Sequence, residues 1–457
     1  MTPPAPHPLL AALHRTVAPD RITSGPAYAT LWNGAVTRRP AAVLHCNTPA
    51  DVQAGIRAAR ESGVPLAVRG GGHDWAGRAL ADGGLTLDLS GMWQVDIDPD
   101  ARVARIGGGT TSADLVSAAQ AHGLVAVTGT SGSVGMAGLS LGGGYGPLSG
   151  RFGLAVDNVL AVDIVLADGS LVTADAEHEP ELFWAVRGGG GNFGVVTSMR
   201  IRLHAVPALL SGMLVYPGGE ADRVLAGLAE LLPDGTPDEL TVHSGFVTAP
   251  EGFPAFFVAP TWCGDPARGE RELERLTRLG DPLLAQAGPA TQTQLLAGTD
   301  ALFPPGRHVE IATATVPALS PAVREILRSH GTEPTSPLSA VALHSLHGAA
   351  SRIPLSDNAF GVRQPHLVVE VIAAWEPGDP ATHRAWTADF AAALAPHALP
   401  GGYANLLGPG DARAAHAYGP NTGRLLAAKR HYDPQSIFHA IPLPAENPSA
   451  PALEQTR

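Results

Sequence analysis

Three glycine-rich stretches fall within residues 69–194 and limit this chain more than any other feature: Arg69-Gly-Gly-Gly-His73, Gly138-Leu-Ser-Leu-Gly-Gly-Gly-Tyr-Gly146 and Arg187-Gly-Gly-Gly-Gly-Asn-Phe-Gly194. Consecutive glycines let backbone amides turn inward and approach a phosphate or a flat ring that a β-carbon would hold off. Any one of these stretches reads equally well as a tight turn. Together they fit a ligand with a long pyrophosphate body touched by several loops. Gly189-x-Gly191-x-x-Gly194 matches the dinucleotide fingerprint in form, but that fingerprint requires a strand before it and a helix after it. Here it runs into Val195-Val196-Thr197, which is strand chemistry, so the Rossmann reading fails. His73 closes the first loop. A loop histidine is ordinarily a solvated or hydrogen-bonded bystander, but this one sits where backbone would come closest to a ligand.

At 457 residues the chain is long enough for two domains, each with its own core. With 45% hydrophobic and 16% charged residues it has the profile of a folded globule. A net charge of −12 argues against nucleic-acid or anionic-membrane partners, which reward basic patches. No apolar run is long enough to span a bilayer. Met1–Arg15 lacks the basic head and apolar core of a signal peptide, so the expected location is cytoplasmic. Cys46 and Cys263 make no disulfide framework and no metal-ligand spacing, and no metal is expected.

Up to about residue 205, short strands alternate with helices. Strands are expected at Ala41–Leu44, Leu66–Val68, Leu85–Leu89, Val103–Ile106, Ala161–Leu166 and Val195–Ile201, with helices over Ala54–Arg60 and Ala113–His122. From Pro207 the texture changes. Helical spacing over Val224, Leu225, Leu228 and Leu231, and over Trp386, Phe390 and Leu394, is interleaved with strands at Phe256–Val258, Ala340–Leu346 and Leu367–Ala374. The expectation is an α+β chain: a first domain over 1–206, a second with an antiparallel sheet over 207–408, and a segment over 409–457 that returns to the first.

Further motifs accompany the glycine loops. Val68-Arg69-Gly-Gly-Gly-His73 is followed by Asp82-Gly-Gly and Leu87-Asp88-Leu89-Ser90, then by Gly135-x-x-Gly138, Gly153-Leu-x-x-Asp157-Asn158 and Glu181-Leu-Phe-Trp. Lys429-Arg-His-Tyr-Asp-Pro434 and Phe438 close the set. In these motifs the chain resembles the berberine-bridge-enzyme-like and 6-hydroxynicotine-oxidase-like FAD-linked oxidases of the vanillyl-alcohol-oxidase and p-cresol-methylhydroxylase superfamily. The resemblance implies a p-cresol-methylhydroxylase-type FAD-binding domain with a substrate domain over the flavin, and an 8α-histidyl link from His73 to FAD. Carried residue by residue, it assigns flavin contact to Arg69, Gly70, Gly71, Gly72, His73, Ser131, Gly135, Gly138, Gly143, Gly144, Tyr145, Asn158, Gly194, Val196, Asn405 and Asn421.

The chain also departs from that pattern. Many relatives carry a second covalent link from a cysteine where this chain has Ser131, so a single link is expected. The tyrosine that helps to deprotonate an alcohol in relatives is replaced by Leu406, in Tyr403-Ala-Asn405-Leu406. Another family position for a carboxylate holds Ala342. Three residues are the candidates for the proton-handling role: His344, on the same strand face as Ala342; Glu370, a lone charge in the apolar strand Leu367–Ala374; and Tyr403. If the strand runs far enough, His347 points the other way. The function expected is an oxidase that takes hydride from a small organic alcohol, amine or phenol and reduces O2 to hydrogen peroxide. The alternatives are a flavin monooxygenase or oxidative cyclase, and a non-catalytic flavin-binding protein.

Overall fold

Thr48 opens the first crossover helix with a reciprocal cap: its hydroxyl accepts from the Asp51 amide while the Asp51 carboxylate accepts from the Thr48 amide. Gly63, in the left-handed conformation, closes the same helix, Pro49–Ser62. Its apolar side (Val52, Ile56, Ala59) is buried against a small sheet in which Ala42–His45, Leu85–Asp88 and Leu66–Arg69 run parallel, with Ile22–Thr23 antiparallel on the edge. The computed structural model from which this is read describes residues 8–24, 30–232 and 235–445. The first seven residues of the N-terminal stretch and residues 446–457 of the expected returning segment lie outside the described residues.

A second, antiparallel sheet follows. Its order is Val95–Asp98, Val103–Gly107, Val195–His204, Val159–Val165 and Leu171–Ala174, with Val125–Ala126 pairing off the far end of Val195–His204. The third glycine stretch lies between the helix Pro180–Gly189 and the strand Val195–His204. That order is the reverse of a dinucleotide-binding turn, as the strand chemistry after Gly194 implied.

From Leu210 to Trp375 the strands form one seven-stranded antiparallel sheet. Its order is Leu284–Pro289, Leu210–Pro217, Pro254–Trp262, Leu240–Thr248, Ala340–Leu346, His366–Trp375 and His308–Val316. The period-2 alternation of a strand divides its two faces. Leu343, Val369 and Val371 point into a core covered by the helices Ala221–Leu231, Pro321–Gly331 and Ala381–Leu394. Val368 and Ile372 point the other way, toward the first domain. Val368 packs with Tyr145, Phe360 and Tyr403, and Ile372 packs with Trp75. The chain is α+β, and the space between its glycine loops and this second sheet face is where the candidate residues gather.

The end of the described chain packs back on the first two sheets. Leu407, Tyr418, Leu425 and Ala428 join the core of Leu182, Trp184 and Phe193, and Phe438 joins that of Leu44 and Leu87. Among the described residues no helix is long and apolar enough to cross a membrane.

Candidate active site

Two glycine loops meet backbone to backbone. A β-carbon on Gly71 would lie 2.4 Å from the Gly135 amide nitrogen, and one on Gly135 would lie 2.5 Å from that of Gly71. Only glycine at both positions permits this approach, and it brings His73 against the segment Ser131–Gly135. His73 Nε2 lies 2.7 Å from Ser133 Oγ. The ring stacks on Trp32, with centroids 4.9 Å apart and planes 20° apart, and the Trp32 indole N–H donates to the Phe303 carbonyl. Burial lowers the His73 pKa to about 4, with the Asp300 carboxylate opposing the shift, so the imidazole is neutral at ordinary pH.

Asp300 reaches this loop from the helix Gln292–Leu302, in the domain of the seven-stranded sheet. Its carboxylate accepts from Ser131 Oγ at 2.5 Å, from Ser133 Oγ at 3.3 Å and from the Gly132 amide. Ser131 was expected at a flavin position; the structure places it in this carboxylate's grip, 3.1 Å from Ser133. On the other side of the first loop, Arg69 donates to Asp88, whose carboxylate also meets His45. Among the described residues, only the Gly108 carbonyl lies near the missing β-carbon of Gly70, at 3.5 Å, and nothing lies within 4 Å of that of Gly138. Val196 supports the same corner from behind, its carbonyl lying under Gly108, and Gly194 lies close under the Val165 carbonyl.

The middle glycine loop is tied to Phe360 and to the stretch from Tyr403 to Asn405. Gly143 has φ +141°, and a β-carbon there would strike the Tyr403 ring at 2.8 Å and that of Phe360 at 2.9 Å. The Tyr403 hydroxyl accepts from the Gly144 amide at 2.9 Å and from Asn405 Nδ2 at 2.9 Å. Burial pushes the phenol up to about 12, and the Glu370 carboxylate adds to the rise while the two donors oppose it. Tyr403 therefore keeps its proton and has that one proton left to donate; it is not a base near neutral pH. Asn405 also donates to the Gly138 carbonyl, and Arg78 donates to the Asn405 carbonyl, so this short segment joins the second loop to the chain just past His73. The Tyr145 hydroxyl meets His366 Nε2 at 2.8 Å.

His344 and Glu370 meet across adjacent strands, Nε2 to Oε2 at 3.2 Å, both side chains nearly buried. Glu370 stands opposite Ala342 and Thr313 in the register, and the His243 ring packs edge-on against His344 at 5.0 Å. The charge in the apolar strand thus has a partner. His344 Nδ1 and Thr313 Oγ1 are buried with no partner among the described residues. The strand ends at Leu346, so alternation does not govern His347, whose Nε2 donates to the Leu240 carbonyl instead.

Two further residues named from the resemblance have their side-chain amides engaged within the protein. Asn158 donates to the Phe152 and Leu154 carbonyls and meets His204, while Asn421 donates to the Leu355 and Asn358 carbonyls. Both amides brace the protein itself. Conversely, Trp32, Ser133, His243 and Asp300 escaped the sequence reading. Ser133 was two residues from a flagged serine, but nothing in Ala297-Gly-Thr-Asp300 marks that carboxylate as special.

A family model described as an FAD binding domain matches residues 40–175. FAD-linked oxidoreductase aurO of Gibberella zeae is 31% identical over 435 residues, covering 92% of this chain and 84% of that protein. The chain belongs to the FAD-linked oxidoreductases. Within the family, (R)-6-hydroxynicotine oxidase of Paenarthrobacter nicotinovorans is 40% identical over 259 residues, 56% of each chain. The crystal structure of 6-hydroxy-D-nicotine oxidase from Arthrobacter nicotinovorans superposes with a TM-score of 0.82 at 29% identity, over 93% of this chain and 97% of that one.

The loops of this FAD-linked oxidoreductase fit the flavin nucleotide. Gly70 and Gly138 leave open the space that a β-carbon would fill. The neutral His73 ring, hydrogen-bonded at Nε2, has no hydrogen bond at Nδ1 among the described residues.

Proposed function

We propose that this FAD-linked oxidoreductase is an oxidase of a small organic alcohol, amine or phenol, with FAD joined to the chain through His73 and O2 as the final acceptor. FAD supplies hydride acceptance and electron transfer to oxygen. The chain's part is to hold the substrate and take its proton. Glu370, oriented by His344, is the acceptor for the proton that leaves the substrate's hydroxyl or amine. Tyr403, locked as a proton donor, offers its O–H to the substrate or the ring edge. The sheet face of Val368 and Ile372, closed by Phe360 and Trp75, excludes water from the reacting atoms.

The observation that carries this reading is the hydrogen-bonded His344–Glu370 pair on the sheet face turned toward the glycine loops, with its carboxylate near enough to raise the Tyr403 pKa. A screen of alcohols, amines and phenols with the flavin-loaded protein tests it by following flavin bleaching without air and peroxide after air is admitted. Bleaching followed by one peroxide per turnover is expected for an oxidase. Labelled oxygen entering the product would instead make the protein a monooxygenase. No bleaching by any member of the three classes counts against the reading.

A further inference from the structure

We propose that Ser133 and Asp300 form a proton relay that fixes the tautomer of His73 and prepares its Nδ1 to bond the flavin. The inference rests on the reading above that His73 carries the flavin, and it assigns to two residues outside the glycine motifs the control of that attachment.

The direction of the relay follows from donor and acceptor inventory. A carboxylate only accepts. Ser131 lies 2.5 Å from Asp300 Oδ1, so its single proton points to that oxygen. Ser133 lies 3.3 Å from the same carboxylate oxygen and 3.1 Å from Ser131 Oγ. If Ser133 gave its proton to His73, its oxygen would face the carboxylate and the Ser131 oxygen with no hydrogen between them. The consistent arrangement has Ser133 donating toward the Asp300 side and accepting from His73 Nε2–H at 2.7 Å. A hydrogen bond at one ring nitrogen sets which nitrogen holds the proton. Neutral His73 then carries it on Nε2, and the Nδ1 lone pair is free.

Ring position is fixed as well. Trp32 stacks on the imidazole, and both Trp32 and Ser133 are held by the same stretch of chain, through the Phe303 carbonyl and Asp300. The helix Gln292–Leu302 therefore reaches across from the second domain to set the ring's plane and its proton.

The attachment balances as follows. The bond from Nδ1 to the flavin's 8-methyl carbon forms and one C–H bond of that methyl breaks. The imidazole also loses its Nε2 proton, which leaves through Ser133 toward Asp300. The two electrons stay on the flavin until O2 accepts them with the two protons, giving one hydrogen peroxide. Ser133 and Asp300 are positioning residues: they act through His73.

The test uses the full-length chain loaded with FAD in air, as wild type and as Ser133→Ala, Ser133→Thr, Asp300→Asn and His73→Ala. Bound flavin is read by absorbance, attached flavin by what stays on the acid-denatured chain over time, and the bonded nitrogen by spectroscopy of the flavin peptide. Wild type and Ser133→Thr are expected to attach flavin through Nδ1. Ser133→Ala and Asp300→Asn are expected to bind FAD yet attach it about 10-fold or more slowly, as for other groups that orient a histidine. His73→Ala should bind FAD and never attach it. Attachment at the wild-type rate in both Ser133→Ala and Asp300→Asn overturns the relay while leaving the His73 link intact. A bond at Nε2 in the wild type does the same without relying on any variant. Wild type with bound but unattached flavin overturns both the link and the relay.

Discussion

His344 Nε2 lies 3.2 Å from Glu370 Oε2, although the two residues are not register partners: His344 stands opposite Val368, and Glu370 opposite Ala342. The contact is diagonal. It is made because alternation puts both residues on the sheet face that also carries Val368 and Ile372, turned toward the first domain, and because Ala342 is small enough to leave the carboxylate room.

Glu370→Gln keeps the shape and removes the proton acceptor. With a substrate found by the screen, its kcat should fall about 100-fold or more while flavin content and KM stay close to wild type. Anaerobic flavin reduction measured by stopped flow isolates this step. Reduction at the wild-type rate would remove Glu370 from the chemistry.

Tyr403→Phe tests the tie between the second glycine loop and the stretch from Tyr403 to Asn405. It leaves the Gly144 amide and the Asn405 side chain facing a ring carbon, so denaturant unfolding should show a loss of about 1–3 kcal/mol. Because burial keeps the phenol protonated, the pH profile of flavin reduction should not gain or lose a limb in this variant.

Lys429 is buried and donates to the Asn192 and Phe438 carbonyls and to Asp433, which is itself buried. Lys429→Met would strand the Asp433 charge. A loss of about 3–5 kcal/mol is expected, and Asp433→Asn in the same chain should restore part of it. Equal stability of the single and double variants would contradict the assignment.

Burial lowers His366 to about 4 and His243 to about 3 from an ordinary value of 6.5. Both are neutral in the native state, so between pH 6.5 and about 4 the unfolded chain binds more protons than the folded one. Stability therefore falls as the pH drops through that window. His366→Gln, which can still accept from Tyr145, should lower the slope there by up to about 1.4 kcal/mol per pH unit. Denaturation at a series of pH values measures it, and an unchanged slope would show that His366 titrates normally.

Much of the first domain could be read in advance because its strands are short β-branched and aliphatic runs between glycine turns. Leu66–Arg69 and Val195–His204 are examples, and Ala340–Leu346 was legible to the residue in the second domain. Leu284–Pro289 was not, since it has no β-branched residue and is an exposed edge strand with no buried face to impose a pattern. Among the candidate residues, His73, Glu370 and Tyr403 were singled out by motif or by a charge in an apolar strand. Asp300 did not. Its meaning comes from a helix crossing to a loop about 170 residues earlier in the chain, which no local spacing encodes.

The proposed anchoring of FAD at His73 can be read from the protein itself. The most direct measurement is to denature the flavin-loaded protein in acid, digest it, and locate the yellow peptide by mass. The account requires one flavin on the peptide containing His73 and none on the chain of His73→Ala. Flavin released entirely from the wild type, or found on a peptide without His73, would contradict it.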